Sequence, residues 1–329
     1  MKILLADKFP ENYKNELINA GNEVTSNPDL QAEDLPNAIK GYDVLVVRST
    51  KVNADTFEAA DNLKMVIRAG AGTNTIDVKT AAEKNIYVCN TPGKNALAVA
   101  ELAFALLLSI DRNIPDNVME MRNNNWDKKR FSKAQGIYGR NLGIIGFGQI
   151  GFALAERAKA FGMNVFVFDV VKPNYEGTLK TRFDALNITY VDTIYDIAKQ
   201  CDVISLHVPA NEHTKNMVNK EFLDQVKPNT IIINTSRGAI VNDEDLITAM
   251  NEKNVRAGLD VYNNEPASGK DNISTPLSQH KNVYGTHHIG ASTAQAQAAV
   301  AEEVVNVVTD LHNGTVRNCV NMNLMKVTT

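Results

Sequence analysis

The sequence predicts an α/β protein made of two doubly wound parallel-sheet domains. Three observations carry that prediction. Short runs rich in β-branched residues alternate with helical stretches from end to end, the order that βαβ units impose. The runs are continuously apolar rather than alternating, as strands covered on both faces require. A length of 329 residues, at roughly 150 residues per domain, favours two cores over one.

The first series of strand candidates lies at residues 2–6, 44–48, 65–68 and 86–89, with helical segments such as 11–20 and 77–84 between them. Residues 95–110 are dense in alanine and leucine, which favours a helix. This run is shorter than the roughly 18 residues a membrane span needs, and Glu101 interrupts it, so it reads as a buried helix. A second series follows at 141–145, 164–168, 203–207, 230–234, 257–261 and 283–286. A long helical stretch at 294–312 then ends at Asn313-Gly314, a stop signal. No linker rich in glycine and serine separates the two series, so helices are expected to join the domains.

The composition, 44% hydrophobic and 22% charged, is that of an ordinary globular chain and excludes disordered and fibrous classes. Thirty-four basic against 38 acidic residues give a net charge of −4. That leaves no basic footprint, so neither nucleic acid nor a membrane surface is expected as a partner. The N-terminal apolar run Ile3-Leu4-Leu5-Ala6 is too short for a signal-peptide core. Cys89, Cys201 and Cys319 are odd in number and far apart in sequence. They offer no zinc ligand set, and a reducing, cytoplasmic location is the simplest expectation.

The run at 141–145 leads into Gly146-Phe147-Gly148-Gln149-Ile150-Gly151 and then a good helix. At a strand-to-helix turn these glycines have distinct uses. Gly146 permits the tight turn, Gly148 lets backbone approach a pyrophosphate, and Gly151 lets helix and strand pack closely. The helix N-terminus then offers amides to the phosphates. Asp169 ends the next strand, 18 residues past Gly151, near the position of an acid that accepts from both ribose hydroxyls. Such an acid repels a 2′-phosphate, so NAD is favoured over NADP, with Lys172 the one nearby cation that argues otherwise.

A hydride transfer between ketone and alcohol needs a proton donor for the carbonyl oxygen, a cation that holds the substrate, and a group that tunes the acid. Three segments at carboxyl ends of strands supply candidates: Asn234-Thr235-Ser236-Arg237-Gly238, Asp260 through Glu265-Pro266, and Thr286-His287-His288-Ile289-Gly290. With the glycine motif, Asp169 and Ser205-Leu206-His207-Val208-Pro209, this set resembles the D-isomer-specific 2-hydroxyacid dehydrogenases over nearly the whole chain. The resemblance implies that Arg237 clamps the substrate, that His288 is the acid/base, and that Glu265 bonds the imidazole and sets its tautomer. Relatives usually carry proline where this chain has His287. In an extended strand adjacent side chains point to opposite faces, so only one of the pair is expected to face the chemistry. His288, which precedes Ile289-Gly290, is the expected one.

By the same resemblance Asp260 receives the nicotinamide carboxamide, with Thr235 beside it and Pro209 near the adenosine. Gln149, Ile150, His207, Val208, Ser236, Arg237 and His288 complete the implied cofactor set. The fold implied is a Rossmann NAD-binding domain, residues 97–290, inserted in a flavodoxin-like substrate domain made of residues 1–96 and 291–329. In the latter, Arg68-Ala69-Gly70-Ala71-Gly72 is similar to the family's substrate loop, whose small residues expose amides to a carboxylate. Arg48, Ser49, Arg68, Ala71 and Gly72, with Arg237 and His288, are the implied substrate residues.

The segments at 47–52 and 68–70 are most similar to those of D-3-phosphoglycerate dehydrogenases, and Arg48, Lys51, Arg68 and Lys128 suit a phosphate. A small anionic 2-hydroxy or 2-oxo acid is therefore the expected partner. A hydroxypyruvate or glyoxylate reductase is the alternative enzyme, and an NAD-binding corepressor the alternative of another class. The chain ends at residue 329, 41 positions past His288, so the serine-binding regulatory domain of many bacterial relatives is not expected. The resemblance also implies a homodimer built on the nucleotide domain, with Trp126-Asp127-Lys128-Lys129-Arg130 reaching towards the neighbour.

Overall fold

The computed structural model describes residues 1–171, 177–266 and 271–325, with the backbone alone at 178 and 179. Lys172, the cation weighed against NAD, lies outside the described residues. The chain divides into two compact units: Met1–Asn95 with Ser292–Thr329, and Ala96–Ala291.

Unit 1 holds a parallel sheet of β1 (Lys2–Leu5), β2 (Glu23–Ser26), β3 (Val44–Val47), β4 (Met65–Arg68) and β5 (Tyr87–Asn90), in the order β2-β1-β3-β4-β5. Its apolar runs are continuous because alternate residues serve two cores. Leu4, Leu45, Val47 and Val66 enter one cluster, while Ile3, Leu5, Val44, Val46 and Ile67 enter the other with Val304, Val307 and Val308 of the Ala294–His312 helix. β2 was not anticipated. It reads Glu-Val-Thr-Ser and lies at the sheet edge, where half-exposed strands need no apolar run.

Unit 2 holds seven parallel strands: β6 (Asn141–Ile145), β7 (Asn164–Phe168), β8 (Thr189–Tyr190), β9 (Val203–Leu206), β10 (Ile231–Asn234), β11 (Arg256–Leu259) and β12 (Val283–Gly285). Their order is β12-β11-β10-β9-β6-β7-β8. The two-residue edge strand β8 also escaped the sequence reading. The strand order reverses between β6 and β9, and ligands in open α/β sheets bind outside such a switch point. The Ala96–Arg112 helix belongs to this unit and packs against the sheet and the Gln149–Ala160 helix. Glu101 in its apolar sequence is paired with Arg157 at 2.8 Å. A Cβ added at Gly290, near the end of the unit, would lie 3.4 Å from Val99 in the first turn of this helix. Among the described residues no helix is long and apolar enough to cross a membrane.

Candidate active site

The site in unit 2 starts from the turn after β6. Gly146 has φ +93°, a conformation that costs a residue with a Cβ, and a Cβ there would stand 2.6 Å from the His207 carbonyl oxygen. The turn therefore presses against the end of β9, on the other side of the switch point. A Cβ at Gly151 would stand 2.5 Å from the Gly146 carbonyl oxygen, so the helix too is seated tightly on the turn. Gly148 differs. A Cβ there would meet nothing within 4 Å, and as N-cap it supplies no side-chain bond to the Gln149–Ala160 helix. The first amides of that helix, at Gln149 and Ile150, have no intrahelical acceptor and stand at the positive end of the dipole.

Asp169 is tied to the same turn. Its Oδ2 accepts the Phe147 N–H at 2.5 Å and its Oδ1 accepts the Val171 N–H at 3.0 Å. A carboxylate has about four acceptor positions, so the two that remain can take ribose hydroxyls. After β9, the His207 Nε2 is hydrogen-bonded to Ser205 Oγ at 2.8 Å, while the buried Nδ1 has no partner. Burial pushes the imidazole pKa down to about 4, so the ring is neutral at physiological pH. Thr235 Oγ1 is likewise buried without a partner.

The Arg237 turn is braced from below by Asn234, which is 1% exposed at the end of β10. Asn234 Oδ1 accepts the Ser236 N–H at 3.0 Å, and its Nδ2 donates to the Arg237 carbonyl at 2.8 Å. Ser236 Oγ donates to the Leu206 carbonyl at 2.8 Å, which links the turn to β9. At Gly238 a Cβ would fall 2.2 Å from the Tyr262 carbonyl carbon, so only glycine lets the Arg237 turn lie against the segment that leads to Glu265.

His288 Nδ1 and Glu265 Oε2 are 2.7 Å apart. Glu265 Oε1 accepts the Tyr262 N–H at 2.9 Å, which fixes the carboxylate plane. Partial burial opposes the Glu265 charge. The bonds to His288 and Tyr262 and the charges of His288 and Arg237 outweigh it, and the carboxyl is held below its ordinary value. Glu265 is thus ionised at neutral pH and gives up its charge only below the usual carboxylate range. An ionised carboxylate only accepts, so Nδ1 is the donor in this bond and Nε2 is the atom left to exchange a proton with a ligand.

The backbone that presents His288 is not the one expected. β12 stops at Gly285, and His288 has φ +52°, in the left-handed region. Strand alternation therefore does not separate the two histidines, because the strand does not run through them. His287 and His288 are both exposed, and it is His288 that meets Glu265. The strained turn is held by Asp260, 1% exposed. Its Oδ1 accepts from Thr286 Oγ1 at 2.6 Å and from the Ile289 N–H at 2.8 Å, and its Oδ2 accepts the Gly290 N–H at 2.8 Å. The Asp260 carbonyl accepts the His288 N–H at 2.8 Å. Three of its side-chain acceptor positions thus serve the protein, and of about four one remains for the cofactor amide that the resemblance implied.

In unit 1 the expected substrate residues follow β3 and β4. The Arg48, Ser49 and Thr50 N–H groups donate to Asp7 Oδ2 at 2.7, 3.2 and 3.1 Å, and Ser49 Oγ donates to Asp7 Oδ1 at 3.0 Å. Both the amide and the hydroxyl of Ser49 are therefore turned to Asp7, a residue that the sequence reading did not single out. The Arg68 guanidinium folds over its own loop, since a Cβ at Gly70 would coincide with it at 1.4 Å from Nη1. Asn90 Nδ2 donates to the Ala71 carbonyl at 2.6 Å and the Thr91 N–H to the Gly70 carbonyl at 3.0 Å, which holds the glycine loop to the end of β5.

Residues 104–290 match the family model described as D-isomer specific 2-hydroxyacid dehydrogenase, NAD binding domain. The chain belongs to the D-isomer specific 2-hydroxyacid dehydrogenases. It is 41% identical over 328 residues to a D-3-phosphoglycerate dehydrogenase of Methanocaldococcus jannaschii, covering 98% of this chain and 60% of that protein. It is 43% identical over 288 residues to a hydroxypyruvate reductase of Thermotoga maritima, covering 87% and 90%. The cofactor-bound 3-phosphoglycerate dehydrogenase of Entamoeba histolytica superposes with a TM-score of 0.79 at 27% identity, covering 98% of each chain. The chain thus spans about three fifths of the length of the archaeal D-3-phosphoglycerate dehydrogenase it matches.

NAD is the cofactor of this dehydrogenase domain, and the residues present fit it. Gly148 opens on free space at an uncapped helix start, Asp169 keeps acceptor capacity, and His207 Nδ1 and Thr235 Oγ1 are buried polar atoms without partners. Missed by sequence reasoning were the supports within each unit: in unit 2, Asn234 beneath Arg237 and Gly238 against Tyr262, and in unit 1, Asp7 beneath the amides of residues 48–50. The Gly238 signal was present in the Arg-Gly pair after a strand. Nothing in the sequence around Asp7 marks it.

Proposed function

We propose that this chain is an NAD-dependent oxidoreductase that interconverts D-3-phosphoglycerate and 3-phosphohydroxypyruvate, the entry step of serine biosynthesis. The observation that carries the chemistry is the 2.7 Å bond between Glu265 and His288 Nδ1, which leaves Nε2 as the proton-transferring atom. In the reducing direction Nε2 gives its proton to the ketone oxygen of the substrate. Glu265 stabilises the positive ring before transfer and keeps it from turning. Arg237, on its braced turn, holds the substrate carboxylate through its planar fork and draws electron density from the carbonyl. NADH, when bound, supplies the hydride.

The phosphorylated substrate is favoured by the likeness to the archaeal enzyme along almost the whole chain and by Arg48 and Arg68, which we assign to the anion. Unit 1 is on this reading the substrate domain. A second reading, hydroxypyruvate reduction, is favoured by the likeness to the Thermotoga enzyme, and it needs the same apparatus with fewer cations. Loss of NADH absorbance with each oxo acid separates them. The expected result is a kcat/KM for 3-phosphohydroxypyruvate at least about tenfold above that for hydroxypyruvate, since one charge-assisted contact contributes roughly 1.5–3 kcal/mol. Preference for hydroxypyruvate would replace the first reading by the second.

Arg237→Ala is expected to raise KM for the oxo acid and to lower kcat about 10²-fold, the scale of losing one preorganised electrostatic partner. Arg237→Lys should recover only part of this, because an ammonium cannot reproduce the planar fork. Equal steady-state constants for the lysine variant and the native enzyme would remove Arg237 from the substrate. The same reading includes a homodimer. Val118, Met119, Met121 and Trp126 are exposed on and beside the Ile114–Arg122 helix, a patch that suits burial against a second copy.

A further inference from the structure

Cys89 and Cys319 stand 230 positions apart in sequence, yet they are opposite each other in unit 1. Cys89 lies in β5, and the chain that returns after the Ala294–His312 helix passes it as an antiparallel bridge, Cys89 against Cys319. The flanking bonds define the pair. The Val320 N–H donates to the Val88 carbonyl at 2.8 Å and the Asn90 N–H to the Asn318 carbonyl at 3.2 Å. Bonds one residue to either side make Cys89 and Cys319 a non-hydrogen-bonded pair, in which Cα atoms are about 4.5 Å apart and side chains are at their closest. That separation is inside the window for a disulfide. Asn321 completes the junction, its Oδ1 accepting the Val88 N–H and its Nδ2 donating to the Ile86 carbonyl, both at 2.9 Å.

We propose that Cys89 and Cys319 are a cross-strand dithiol that a hydroperoxide closes to a disulfide, fastening the returning C-terminal segment to β5. The two sulfurs divide the work by their surroundings. Cys319 is partly exposed, so it is the sulfur a hydroperoxide can reach; its thiol donates to Asn321 Oδ1 at 3.1 Å, and the neighbouring Cys89 draws its pKa down. Exposure makes it the nucleophile once its proton has left. Cys89 is fully buried, and burial beside Cys319 raises its pKa, which keeps it a thiol.

In the first step the Cys319 thiolate attacks one oxygen of the hydroperoxide. The O–O bond breaks, sulfur loses two electrons, and with hydrogen peroxide the departing hydroxide takes a proton to leave as water. The Cys89 sulfur then attacks the Cys319 sulfenic sulfur, the S–O bond breaks, and a second water carries away the Cys89 proton. Two thiols and one hydrogen peroxide thus give one disulfide and two waters, and a dithiol reductant reverses the change. The closed ring contains every residue from 90 to 318, unit 2 included, so the two chain segments that make unit 1 become covalently joined.

The test counts thiols in the full chain. The protein is treated with hydrogen peroxide, denatured, alkylated with N-ethylmaleimide and weighed. Three cysteines are present, and Cys201, buried with its pKa pushed up to about 12, serves as the internal reference. The expected result is a fall from three adducts to one, a peptide linking Cys89 to Cys319, and a rise in apparent Tm that a dithiol reductant abolishes. Cys89→Ala should retain the Cys201 adduct, form no intramolecular link, and accumulate oxygen on Cys319. Three adducts after oxidation, or oxygen on Cys319 of the native chain without a link, would overturn the proposal. The native measurement decides even where the variant does not fold.

Discussion

His288→Ala is expected to lower kcat for oxo-acid reduction by 10²- to 10⁴-fold, the range of a positioned general acid. NADH affinity, read from fluorescence titration, should change by no more than a few fold. The split follows from the geometry. His288 projects from a turn that ends the site, while the glycine turn, Asp169 and the helix start that suit the dinucleotide belong to β6 and β7 and share no hydrogen bond with it. His287→Ala is the control. It is expected to keep most of the activity, because it is His288 Nδ1 that meets Glu265. An inactive His287→Ala protein beside an active His288→Ala protein would move the acid by one residue and leave the Glu265 contact without a catalytic role.

Asp260→Asn is expected to have the second largest effect, although it changes one atom. The carboxylate faces a backbone N–H on each oxygen, from Ile289 on Oδ1 and Gly290 on Oδ2. An amide can offer only one oxygen. Whichever way it turns, its NH2 meets a buried N–H, and one donor is left unpaired at a cost of about 2 kcal/mol. For a unit of this size that corresponds to a fall in Tm of roughly 4–8 °C. The left-handed His288 conformation loses its restraint at the same time, so kcat should fall at least about tenfold while KM for NADH moves less. Native Tm and native kcat in the purified variant would show that the turn stands without Asp260.

The strands were legible where burial on both faces demands an unbroken apolar run, and β6, β7 and β4 begin and end where the sequence pattern does. β2 and β8 were not legible. An edge strand with exposed residues carries no such run, and only pairing with β1 or β7 makes it a strand. In the site, the glycine turn was legible because its three roles are bound to fixed spacing. The His288 turn was not, since its shape depends on Asp260, 28 residues earlier, and on a strand that stops at Gly285. Adjacent histidines face opposite ways only on an extended backbone, which this turn is not. Ser49 illustrates the remaining difficulty. Its residue type suits an anion site, but its hydrogen bonds are directed to Asp7, a choice that tertiary structure alone makes.

Gly290 and Val99 come close together at the two ends of unit 2. The polypeptide therefore enters and leaves that unit at one doorway, and everything between is an excursion that returns to its start. A host sheet can accept such a guest at a single loop without being stretched, which makes unit 2 transplantable as a whole. It also makes this doorway the natural place to cut and rejoin the chain.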